Sequence, residues 1–131
     1  MTKQVVYVDT SAIREGKLNE LEIAMEGLAD FVNDHMPRLV SYGFFLNEQR
    51  SEMTVVAVHP DSASLEFHLD EGKAEFSKFS DLIEMLRIDV YGHVSDGVMQ
   101  RLEQKARMLG GGVVAVHEPH AGFSRFHAGA R

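Results

Sequence analysis

The chain has no cysteine. That absence removes disulfides, thiolate nucleophiles, cysteine zinc sites and iron–sulfur clusters together, and it fits a reducing compartment, with the cytoplasm expected. Any metal site is left to histidine and carboxylate ligands. Tryptophan is also absent, and there are only three prolines. No stretch approaches the roughly 20 apolar residues of a membrane span. The opening M-T-K-Q-V-V-Y-V-D-T lacks the basic region and apolar core of a secretion signal. Basic residues are the scarcer charge, 13 Lys and Arg against 20 Asp and Glu, for a net charge of −7. An acidic surface repels phosphate backbones and anionic lipid, so neither nucleic acid nor membrane is an expected partner.

What is present is the balance of a folded protein: 44% hydrophobic and 25% charged residues in 131. That length suits one domain, spanning residues 1–131 with 117–131 as a C-terminal tail, and burying roughly two-thirds of its unfolded surface. Seven histidines stand out: His35, His59, His68, His93, His117, His120 and His127.

The run Gln4 to Asp9 (Q-V-V-Y-V-D) is β-branched and aromatic, which predicts a first strand. From Leu18 to Met36, Leu18, Leu21, Met25, Leu28, Val32 and Met36 recur at helical steps with acidic residues opposite, a long amphipathic helix that Pro37 stops. Arg38 to Leu46 and Met53 to His59 read as an antiparallel hairpin joined by N-E-Q-R-S-E. Pro60-Asp61-Ser62 then supplies a turn and a cap. Leu65, Leu69, Gly72, Phe76, Phe79 and Ile83 continue at helical spacing, with a possible break near Gly72. Leu86 to Val94 alternates as a fourth strand, with Leu86, Ile88 and Val90 on its apolar face. Ser95 or Asp96 caps a third helix with the stripe Val98, Met99, Leu102, Ala106 and Leu109, stopped by Gly110 to Gly112, and Val113 to Val116 is a short fifth strand.

The order β-α-β-β-α-β with an α-β appendix is the split βαβ arrangement of ferredoxin-like α+β folds, with two helices on one face of the sheet. S-Y-G-F-F-L and M-T-V-V-A-V are apolar at consecutive positions, so both faces of their sheet are expected to be covered. A second copy of the chain, in a symmetric homodimer, is the simplest cover for the other face. The alternative is the third helix folding over it.

Three segments carry a family resemblance: I-R-E-G-K-L-N-E-L entering the first helix, R-L-V-S-Y-G-F-F-L in strand two, and V-V-A-V-H-P-D-S-A-S-L-E-F-H-L running from strand three into a helix with a histidine. Together with I-D-V-Y-G-H-V-S-D-G-V-M-Q-R-L they make the chain resemble the dimeric α+β barrel proteins of the antibiotic biosynthesis monooxygenase type. The resemblance implies a homodimer with a pocket inside each subunit between sheet and helices. Members oxidise phenols or quinols with dioxygen and neither metal nor flavin, degrade haem, or isomerise small molecules, and many have no known activity. The missing tryptophan counts against haem, because members that degrade it use a tryptophan and a histidine.

His68 is the candidate catalytic residue. It lies three after Leu65 and four before Gly72, on the sheet-facing side of its helix, and it matches the helix-two histidine of the family pattern. It is read either as a core histidine bonded to a carbonyl or carboxylate, or as a base kept neutral by partial burial. Candidate substrate-binding residues are Tyr42, Phe45, His59 and Tyr91. His59 ends a strand and is either solvated or at a pocket; Tyr7, Tyr42 and Tyr91 lie mid-strand, either as amphipathic packing or with a hydroxyl that meets a phenolic or carbonyl oxygen of a ligand. Phe44 and Phe45 point to opposite faces, and Asn47 reads as a turn residue. His117-Glu118-Pro119-His120 has the wrong spacing for a helical zinc motif, and a metal site there would need ligands from elsewhere, such as His93 or His127; neither metal nor cofactor is expected.

The function expected is a cofactor-independent monooxygenase acting on a small aromatic phenol or quinol. The alternative is a non-catalytic dimeric ligand-binding or regulatory domain. An open interior reached by His68 and a tyrosine favours the enzyme; an interior filled by Phe45, Phe76 and Phe79 counts against it.

Overall fold

The computed structural model describes residues 3–125. Five strands, β1 (Val5–Ile13), β2 (Ser41–Leu46), β3 (Glu52–His59), β4 (Ile83–Tyr91) and β5 (Val113–His117), form one sheet in the order β2-β3-β1-β4-β5. The first four pair antiparallel in the split βαβ order, and β5 adds parallel to β4 at the edge. The helices are α1 (Leu18–His35), α2 (Ser62–Glu71), α3 (Lys73–Ser77) and α4 (Asp96–Met108).

Strand alternation decides what faces the helices. Along β1 the buried set is Val5, Tyr7, Asp9 and Ser11; along β3 it includes Met53, Val55, Ala57 and His59. Against this inner face α1 lays Leu21, Met25, Leu28 and Val32, and α4 lays Val98, Leu102, Lys105 and Ala106. Local chemistry starts the helices where expected. Asp61 caps α2 by accepting from Ser64 N at 2.9 Å, and Ser95 caps α4 by accepting from Val98 N at 3.1 Å. Asn47 is a turn residue, its Oδ1 accepting from Ser51 N at 2.8 Å and Glu52 N at 2.9 Å.

Several expectations need correction. β1 runs on to Ile13 instead of ending at Asp9, because Thr10 to Ala12 still pair with both β3 and β4 and Ile13 with β4. The break near Gly72 is where the sequence placed it, dividing the second helix into α2 and α3. Ile83, expected on its stripe, opens β4. A register shift between Thr10 and Ser11 leaves Leu86 42% exposed while Ile88 and Val90 stay buried, so these three do not share one apolar face. α4 packs beside α2 on the helix-covered side and does not cover the other face. Among the described residues that outer face carries Phe45, 58% exposed, and Tyr91, 45% exposed.

Candidate functional site

The inner face of β1 carries three polar side chains, Tyr7, Asp9 and Ser11, where a core strand would carry apolar ones. Tyr7 and Asp9 are fully enclosed, and Lys105 reaches them from α4. The Tyr7 hydroxyl donates to Asp9 Oδ2 and accepts from Lys105 Nζ at 2.8 Å; Nζ lies 3.7 Å from the same carboxylate oxygen. The ammonium also sits 3.9 Å from the centre of the Phe76 ring. Burial dominates the electrostatics. It pushes the Asp9 carboxyl and the Tyr7 phenol up and the Lys105 ammonium down; the Lys105 charge works against the shift of Asp9, and Asp9 against that of Lys105.

Two imidazoles lie behind Phe76, near enough to feel the Lys105 charge. His68, completely buried on α2, is tilted against Tyr42, His59 and Phe76, with ring centres 5.4, 5.4 and 5.2 Å away. Its Nδ1 is 2.8 Å from Met36 Sδ. A thioether sulfur only accepts, so Nδ1 carries the proton and Nε2 presents its lone pair. That Nε2 is buried without a hydrogen-bond partner. His68 therefore bonds to sulfur, and not to the carbonyl or carboxylate that a core role predicts. Desolvation, then the positive Lys105, then His59 hold its pKa well below the usual histidine value, so the ring is a neutral base. His59, expected at a solvated strand end as one reading, is fully buried. Its Nδ1 lies 2.9 Å from Ser64 Oγ, and burial together with Lys105 lowers its pKa to about 4.

Among the described residues four buried side-chain atoms lack any partner: Asp9 Oδ1, Ser11 Oγ, His59 Nε2 and His68 Nε2. Each costs about 1–3 kcal/mol in a closed core. Such an accumulation on one face is a cost that packing alone gives no reason to carry. Between the sheet and the helices is a half-open pocket with about 20 Å³ of free space, bordered by Asp9, Tyr42, Phe44, Phe76, Phe79 and Lys105 among others. That is room for about one water molecule. Tyr42 and Phe76 stand between it and His68, since both touch the imidazole and line the pocket.

The structure thus brings together three of the five residues singled out from the sequence, His68, His59 and Tyr42, and places Phe45 and Tyr91 on the opposite face. Phe44, not Phe45, joins Phe76 and Phe79 in filling the interior. Tyr91 stacks on His117 at 4.4 Å, and His117 bonds Asp89 at 2.8 Å. Among the described residues no three histidines or carboxylates converge on a metal position; His127 lies outside them. Sequence reading missed Asp9 and Lys105. Lys105 had a visible signal, since positions 98, 102, 105 and 109 share one helical stripe and the other three are apolar.

Neither the protein-family models nor the curated proteins give a match to this chain. Solved structures do, at low identity. MupZ from Pseudomonas fluorescens is 21% identical and superposes with a TM-score of 0.73 over 95% of this chain and 91% of its own. The asparagine-to-alanine variant of SnoaB, a cofactor-independent oxygenase from Streptomyces nogalater, is 14% identical, with a TM-score of 0.60 over 71% of this chain and 95% of its own. A Caulobacter crescentus protein called a "putative antibiotic biosynthesis monooxygenase" is 18% identical, with a TM-score of 0.63 over 72% of this chain and 92% of its own. The chain has the ferredoxin-like α+β fold of antibiotic biosynthesis monooxygenase-like proteins, as its sequence resemblance implied. No helix among the described residues is long and apolar enough to cross a membrane.

Proposed function

We propose that the protein is a cofactor-independent monooxygenase acting on a small aromatic phenol or quinol held between the sheet and the helices. One observation carries this reading: a neutral histidine, His68, whose Nε2 lone pair is unpartnered, one aromatic ring, Phe76, away from Lys105 and its Tyr7–Asp9 partners. Once the Phe76 ring that separates them moves aside, His68 Nε2 takes the substrate hydroxyl proton. The electron-rich anion reduces dioxygen and a ring carbon bonds to oxygen, giving a peroxide that recovers the proton. Loss of water leaves a carbonyl, so a CH₂ and O₂ become C=O and H₂O, with four electrons passing from substrate to oxygen. Tyr42, and the Asp9 carboxylate through its unpaired Oδ1, orient the substrate oxygen. The fold likeness to SnoaB supports the oxygenase class.

The unit that does this is read as a homodimer in the cytoplasm, joined through the outer sheet face where Phe45 and Tyr91 are exposed. Sedimentation should give twice the mass of one chain, and Phe45→Glu should shift it to one. A single-chain mass for the unaltered protein refutes the dimer.

A second reading, a non-catalytic dimeric binding domain, is favoured by one observation: Phe44, Phe76 and Phe79 leave almost no free space inside. Oxygen uptake with a panel of quinols and anthrone-like phenols separates the two. The oxygenase reading expects turnover with at least one compound and a loss of about 10²–10⁴-fold in His68→Ala. No turnover across the panel moves the protein to the second reading, and equal rates remove His68 from the mechanism.

A further inference from the structure

Phe76 and Lys105 face two spaces at once. On the sheet side they border the small pocket with Asp9 and Tyr42. On the other side, being buried, they form the floor of an open groove of about 620 Å³ between α2–α3 and α4. The wall between the groove and the interior is therefore one layer of side chains, an aromatic ring with an ammonium stacked on it at 3.9 Å. Phe76 is carried on α3, only five residues long, just after the break at Gly72. Its ring lies where a Cβ on Gly72 would be, 2.4 Å from Phe76 Cζ.

The groove also reverses the charge of the molecule. In a chain of net charge −7 it is lined by Lys73, Arg101, Lys105 and Arg107 against one carboxylate, Asp70. Arg101 is already paired, at 2.7 Å from Asp70 and 3.8 Å from Glu66, and Lys105 is engaged with Tyr7 and Asp9. Lys73 and Arg107 are exposed and, among the described residues, have no carboxylate within ion-pair distance. Two uncompensated cations at the rim, over an aromatic floor, match an anion attached to a flat apolar body.

We infer that this groove is the entrance to the interior site and that it selects an aromatic carboxylate, whose anion is held by Lys73 and Arg107 while its ring displaces Phe76 towards Asp9 and Tyr42. The inference rests on the interior acid–base site proposed above and adds the substrate's charge and its route. The test compares 1-naphthoate with the neutral 1-naphthalenemethanol by amide NMR titration of the full chain. Naphthoate should bind about tenfold more tightly, as one added charge-assisted contact predicts. It should shift the amides of Lys73, Gln104 and Arg107 together with those of Tyr42 and Val55 inside. Lys73→Gln with Arg107→Gln, both at exposed positions, should abolish the preference and leave the binding of the neutral probe unchanged. Equal affinity for the two probes, with the neutral one still reaching Tyr42 and Val55, overturns the entrance and its charge selection while leaving the interior site standing. Naphthoate confined to the groove overturns the route. Failure of both probes to reach the inner strands overturns the inference together with the interior site.

Discussion

Two charged triads sit on opposite faces of the same sheet. Inside, Asp9, Tyr7 and Lys105 are buried, and one carboxylate oxygen has no partner. Outside, Asp89 accepts from Arg87 Nε at 2.6 Å and lies 2.8 Å from His117 Nε2, while Arg87 and His117 remain largely exposed. Val8 pairs with Asp89 and Asp9 with Ile88, so the two carboxylates are near neighbours in register and differ in the face they point to. Their chemistry diverges accordingly. Arg87 holds the Asp89 carboxyl well below the usual range, whereas burial raises Asp9. The histidines divide the same way: His117 has a carboxylate partner, and His68 keeps a bare Nε2. The side the strand presents, more than the residue type, decides whether a group is a surface ion pair or a poised acid or base.

That contrast breaks most easily at the cations. Lys105→Met removes the charge that opposes Asp9 in the core and should cost about 3–5 kcal/mol in urea unfolding, as expected when one partner of a buried pair is lost. Arg87→Met, on the exposed pair, should cost under about 1 kcal/mol. Similar losses for both would show that the inner triad is not truly buried.

The next largest effect is in pH. His59 moves from the ordinary 6.5 to about 4 in the folded protein. Between those values the unfolded chain binds more protons, so this stability is complete above 6.5 and lost as the pH falls towards 4. The loss is about 3 kcal/mol. The His59→Gln variant should lose that part of the pH dependence; a curve parallel to the wild type would mean that His59 is solvated after all.

Smaller still is Gly72→Ala. A Cβ there meets Phe76 Cζ at 2.4 Å and the His68 carbonyl oxygen at 2.9 Å, so the ring must leave its place, at about 1–3 kcal/mol. Near-UV and thermal unfolding data unchanged from wild type would show that Phe76 is not seated on Gly72.

The sequence allowed the strand order to be anticipated because hydrophobic period and turn chemistry agreed: the split βαβ pattern, the Asp61 and Ser95 caps and the Asn47 turn all follow from local residues. Where a local pattern met a long-range constraint it failed. The bulge opposite Thr10 and Ser11 rotates Leu86 outward, and only the pairing of two distant strands reveals it. In the same way the helical spacing of His68 exposed its direction but not its partner, Met36, 32 residues earlier. The stripe of α4 marked Lys105 as inward-facing, but its partners were hidden for a different reason. A lysine on an amphipathic helix is ordinarily solvated, and nothing nearby in sequence marks Tyr7 and Asp9 as its partners. The opposed directions of Phe44 and Phe45 came from strand alternation; which of them faced the helices came only with the register against Val55 and Thr54.

The most direct test of the inner triad and its histidines is the state of one imidazole. Nitrogen-15 NMR of the His68 ring should show the proton on Nδ1, an unprotonated Nε2, and no titration as the pH is lowered from 8 through the usual histidine midpoint of about 6.5. A ring protonated on Nε2, or one that titrates near that midpoint, would contradict the account.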